Sequence, residues 1–126
     1  MRGAEKPSKE ACDRSLMAVK DALYVLNGKW KLPIILTLTE GPLRFKELQR
    51  KIDGITARVL SKELKDLEQN EFVTRTVYST SPISVEYNLT PYSETLDNVI
   101  IELSKWGMQH RERIFAKSRQ ERELAA

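Results

Sequence analysis

A mainly α fold carrying one small β-hairpin is what this sequence predicts, and three observations carry the prediction. Apolar residues recur at helical spacing in five separate stretches, around 15–26, 30–39, 45–52, 56–69 and 92–110. Between the last two, Val73–Tyr78 and Val85–Leu89 alternate in β-branched and aromatic residues on either side of Ser79-Thr80-Ser81-Pro82. The pairs Asn27-Gly28, Gly41-Pro42, Asp53-Gly54 and Thr90-Pro91 punctuate the chain where one element gives way to the next.

From Ser15, the residues Leu16, Val19, Leu23 and Leu26 fall three and four apart and share one face of a first helix. Asn27-Gly28 ends it, since both residues accept the left-handed backbone conformation. A second, short helix over 30–39 carries Pro33 in its first turn, where a missing N–H is harmless, and buries Trp30, Ile34, Ile35 and Leu38. Leu43 and Arg44 make a brief extended segment, and a third helix over 45–52 buries Phe45, Leu48 and Ile52. Thr56 caps a fourth helix, over about 56–69. At roughly 100° per residue, Leu60, Leu64 and Leu67 line one stripe of that helix, with Val59, Phe72 and Val73 extending the buried side. Arg58, Lys62 and Lys65 share the opposite stripe with Ser61. The hairpin over about 73–89 follows at once. Thr90 as N-cap and Pro91 at the first helical position then open a long helix burying Leu96, Val99, Ile100, Leu103 and Trp106.

Two short helices joined by a glycine turn form a helix-turn-helix, and a hairpin directly after the second makes it a winged helix. The predicted organisation is a flexible segment over 1–14, a single domain over 15–110, and a charged, partly helical tail over 111–126 that frays.

Composition narrows the function. The 126 residues are 40% hydrophobic and 31% charged, ordinary material for one globular domain. The longest apolar run, Leu32–Leu38, is too short to cross a bilayer, and the first residues lack the apolar stretch of a secretory signal, so a cytoplasmic protein is expected, with no membrane partner. A lone cysteine, Cys12, forms no internal disulfide and no thiolate zinc site. One histidine, no glycine-rich phosphate loop and no metal-ligand spacing argue against an enzyme, and no cofactor or metal is called for. The net charge of +3 permits nucleic-acid binding without requiring it.

Several short segments, in order and spacing, resemble those of HxlR-type winged helix-turn-helix transcriptional regulators of bacteria and archaea. They are Asn27-Gly28-Lys29-Trp30, Gly41-Pro42-Leu43-Arg44-Phe45 with Glu47-Leu48, Leu64–Glu68, Val85-Glu86-Tyr87 with Leu89-Thr90, and Trp106-Gly107 with His110. The resemblance spans roughly 17–110. It implies a homodimeric DNA-binding regulator whose first and last helices form the dimer interface. Where members often carry a cysteine near the start of the first helix, this chain has Met17, with Cys12 five residues earlier. Where the wing often carries a basic residue before Val-Glu-Tyr, it has Ser84.

The expected partner is thus double-stranded DNA, met by Thr56, Arg58, Ser61, Lys62 and Lys65. Arg58 and Lys62, near the helix start, are assigned to base edges and Lys65 to phosphate. Arg44 and Lys46 before and in the third helix, Lys29 before the second, and Arg75 and Thr80 in the wing are further DNA-contact candidates. The other expected partner is a second copy of the chain, met through Leu16, Val19, Leu23, Leu103 and Trp106. A small-molecule effector is left open. The competing reading is a winged helix that docks proteins and binds no DNA, since Glu63, Asp66 and Glu68 lie beside the cationic stripe and Lys62 is spaced to pair with Asp66.

Overall fold

The computed structural model describes residues 8–125. The first helix, α1, runs Lys9–Val25, so it begins six residues before the predicted start. The reason is a cap: the Ser8 hydroxyl accepts the Ala11 N–H at 3.1 Å, and Glu10 sits in the first turn where the helix dipole favours an anion. Of the segment expected to be flexible, residues 1–7 lie outside the described residues and 9–14 are helical.

Helix α2 (Lys31–Leu38) is the centre of the domain. It packs against α3 (Phe45–Lys51), α4 (Ala57–Gln69) and the last strand. The strands β1 (Leu43–Arg44), β2 (Val73–Tyr78) and β3 (Ser84–Leu89) form an antiparallel sheet in the order β1-β3-β2. Tyr87 stands opposite both Leu43 and Arg75, which ties the hairpin to the start of α3. The core joins Ile34, Ile35 and Leu38 to Leu48, Ile52, Ile55, Leu60, Leu64, Leu67, Phe72, Val73 and Leu96. These are the predicted stripes of the second, third and fourth helices; Trp30 and Phe45 pack at the edge, half-buried.

Helix α4 stops in a manner its sequence does not advertise. The Phe72 N–H reaches back to the Leu67 carbonyl at 3.0 Å, and Glu71 takes a left-handed φ of 65° to allow it. Such a turn is usually given to glycine. Gly54, at φ 85°, serves the predicted turn between α3 and α4.

Three departures concern the C-terminal helix. Thr90 caps as expected, but Pro91–Leu96 forms a 3₁₀ turn before α5 (Asp97–Ala125) begins. Hydroxyl bonds hold the tighter winding: Ser93 Oγ donates to the Thr90 carbonyl at 2.6 Å and Thr95 Oγ1 to that of Tyr92 at 2.7 Å. Helix α5 then continues through the charged tail to Ala125, where a partly helical tail was expected. It has no buried residue: Ile100 is half-buried, while Val99, Leu103 and Trp106 are exposed where burial was expected. A rod of 29 residues is about 43 Å long at 1.5 Å per residue, and only its start meets the body. Among the described residues no helix is long and apolar enough to cross a membrane.

Leu64 is fully buried on α4, so Leu64→Ala is expected to lower the free energy of unfolding by about 2–5 kcal/mol. Glu71→Gly relieves the left-handed strain and is expected to raise it by up to about 1 kcal/mol. Urea titrations of the two variants check both signs.

Candidate nucleic-acid interface

Helix α4 is two-faced as its spacing predicts. Leu60, Leu64 and Leu67 are buried against the body, and Arg58, Ser61, Lys62 and Lys65 are exposed. Thr56 is exposed too, but its Oγ1 accepts the Val59 N–H at 3.2 Å, so its first task is to cap the helix. Among the described residues, Arg58 and Lys65 enter no ion pair. Lys62 lies 3.6 Å from Asp66 and 3.7 Å from Glu63 with its side chain 71% exposed. A pair so open to water is worth little and exchanges readily for another anion.

The hairpin adds to this face. Ser61, Lys65 and Glu68 of α4 line a hollow of about 280 Å³ with Arg75 of β2 and Tyr87 of β3, so the wing brings a second cation into it beside Lys65. Arg44 and Lys46 line a second hollow with the hairpin turn from Thr80 to Val85. Thr80 is less available than its position suggests, because its hydroxyl donates to the Pro82 carbonyl at 2.6 Å and braces the turn. Lys29 lies in neither hollow; its ammonium sits 4.9 Å from the Trp30 ring centroid, a cation–π contact within its own turn.

One charged group escaped the sequence reading. Lys31 is 2% exposed, and its Nζ lies 2.7 Å from Glu63 Oε2, 3.3 Å from Asp66 Oδ2 and 3.0 Å from Asn27 Oδ1. Of the acidic residues beside the cationic stripe of α4, Glu63 and Asp66 therefore share one ammonium from inside the domain, and Glu68 does not. The signal was present: Lys31 falls in the run 31, 34, 35, 38 and Glu63 in the run 60, 63, 64, 67, each an apolar stripe with one charge of opposite sign in it. Burial works against the Lys31 ammonium most, but its hydrogen bonds to Glu63 and Asp66 and their charges outweigh that, holding its pKa above the ordinary 10.5.

Cys12 is exposed on α1. Trp106 is 62% exposed on α5 and stacks on His110, centroids 4.8 Å apart. Among the described residues no group of three or more His, Cys, Asp or Glu is placed to hold a metal.

Comparison with known proteins places this arrangement. The model of the HxlR-like helix-turn-helix family matches residues 25–115, most of the chain. The chain belongs to that family. An HTH-type transcriptional regulator of Halalkalibacterium halodurans is 45% identical over 89 residues, 70% of this chain and 79% of that one. The regulator YtcD of Bacillus subtilis is 36% identical over 99 residues, 79% of each. Among solved structures, the redox regulator HypR in its reduced form superimposes with a TM-score of 0.73 at 34% identity, covering 79% of this chain and 98% of that one. This HxlR-family protein is thus a transcriptional regulator with a helix-turn-helix fold, and the exposed cations of α4 lie on the second helix of that motif.

Because the folded pKa of Lys31 is raised, the stability it confers is complete below about 10.5 and is lost as pH rises through the higher folded value. The urea midpoint is expected to fall above that pH, and to fall less in Lys31→Met/Glu63→Gln/Asp66→Asn, which lacks the titrating cluster.

Proposed function

We propose that the protein is a sequence-specific DNA-binding regulator that acts as a homodimer on a pseudo-palindromic operator. Helix α4 enters the major groove and the β2–β3 hairpin flanks it as a wing. The observation that carries this reading is the division of α4: its leucines are buried, while Arg58, Ser61, Lys62 and Lys65 are all exposed. Arg58 and Lys62, toward the N-terminal half of the helix, reach base edges. Lys65 and Arg75, side by side, take phosphate, and Arg44 and Lys46 add to the backbone grip beside the wing turn. Thr56 and Thr80 support these elements, and Lys29 stands further back. Such a regulator works in the cytoplasm, with its DNA.

The dimer reading rests on the terminal helices. Helix α1 buries none of its residues, and Leu16, Val19 and Leu23 stand exposed along it. Helix α5 exposes Leu103 and Trp106. Apolar surface of that extent marks an interface, and two-fold pairing of these helices would set two α4 helices about one or more DNA turns apart.

A gel shift at low and moderate salt, on a duplex selected from a random pool, tests the reading. Arg58→Ala or Lys62→Ala is expected to cost about 1–3 kcal/mol and relax base preference, whereas Lys65→Ala lowers the salt slope by about 1. No retardation at low salt would return the winged helix to a protein-docking role. Sedimentation at micromolar concentration is expected to give twice the 14.5 kDa chain mass, and Leu23→Glu/Trp106→Glu to give the monomer. A monomeric wild type would defeat the dimer.

A further inference from the structure

Two lysines compete for the same two carboxylates, one from inside the domain and one from outside. Asp66 Oδ2 is shared, 3.3 Å from the Lys31 ammonium and 3.6 Å from that of Lys62. Glu63 divides its oxygens, Oε2 to Lys31 at 2.7 Å and Oε1 to Lys62 at 3.7 Å. The inner contacts are shorter and shielded, with Lys31 2% exposed, and the outer ones are open to water.

We propose that Lys31 is a positioning residue for sequence reading: it satisfies Glu63 and Asp66 from beneath α4 so that Lys62 is free to leave them for the DNA. This rests on the reading of α4 as the helix that enters the groove. With Lys31 in place, departure of Lys62 leaves Glu63, 7% exposed, still hydrogen-bonded. Without it, Lys62 becomes the sole counter-charge of both carboxylates. Its departure would then strand a buried anion, the costly case for an ion pair, and would turn two unneutralised carboxylates toward the phosphates. Asn27 steadies the arrangement, accepting from Lys31 Nζ at 3.0 Å while its own amide donates to the Tyr24 carbonyl at 3.0 Å.

The test uses the full chain with two probes, the duplex that the wild-type protein selects from a random pool and a random-sequence duplex of equal length. Lys31→Met is expected to lose roughly 10-fold of the preference for the selected duplex, matching Lys62→Ala. The double variant Lys31→Met/Lys62→Ala is expected to lose no more than either single one, as for side chains acting along one path. Lys31→Met/Glu63→Gln/Asp66→Asn restores the preference, since Lys62 then has no anion to hold it, and adding Lys62→Ala lowers it again by the same roughly 10-fold. Should Lys31→Met fail to fold, this triple variant carries the test, because it strands no buried charge. Additive losses in the double variant, or a folded triple variant without preference, overturn the role of Lys31. A wild-type protein that selects no duplex at all removes instead the DNA-binding reading beneath it.

Discussion

The ammonium of Lys31, buried between two helices against Glu63 and Asp66, constrains how α4 sits on α2 and what its outer face presents. Leucine and isoleucine contacts tolerate small slides of one helix over another, because dispersion is non-directional and side chains repack. Lys31 and Glu63 do not. A buried charge must keep its partner, and few placements of α4 against α2 bring Nζ within 2.7 Å of Oε2 while Asn27 and Asp66 also stay in reach. Helix α2 packs in turn on α3 and on β3, so fixing α4 to α2 also fixes its angle to the hairpin. Such pairs often add little net stability over well-packed apolar residues; here the pair settles two carboxylates of α4 while the leucines beneath hold the helix.

The core is confined to the middle of the chain, and the two ends leave it. Helices α1 and α5 hold 17 and 29 residues and bury none fully. Both carry apolar side chains in the open. In the proposed dimer the second copy would cover these side chains. The same economy explains why so small a core suffices: it has only to hold α2, α3, α4 and the hairpin root.

Periodicity made most of the domain legible. The leucines of α4, the isoleucines of α2 and the alternation in β2 each announce their element, and turn residues mark where elements end. What the pattern reports is an apolar stripe, not what covers it, so Val99, Leu103 and Trp106 read as buried although within the single chain they are exposed. Local hydroxyl bonding was hidden for a different reason. Ser8 starts α1 early and Ser93 and Thr95 tighten the chain before α5, and each is one side chain overriding a weak backbone preference. The outer face of α4 was readable from spacing alone. Its support was not, because Glu63 was read only as a neighbour of the cationic stripe and Lys31 was not singled out at all, and only the three-dimensional pairing explains them.

The separation of the two faces of α4 has an evolutionary corollary. Side chains at 58, 61, 62 and 65 are exposed and lend nothing to the packing beneath, and exchanges at such surface positions usually shift stability by under about 0.5 kcal/mol. The scaffold can therefore be re-aimed at new targets one residue at a time without refolding. Positions 31 and 63 enjoy no such freedom. A change at either must be answered at the other, so across descendants of this chain the pair should drift together while the outward stripe wanders on its own.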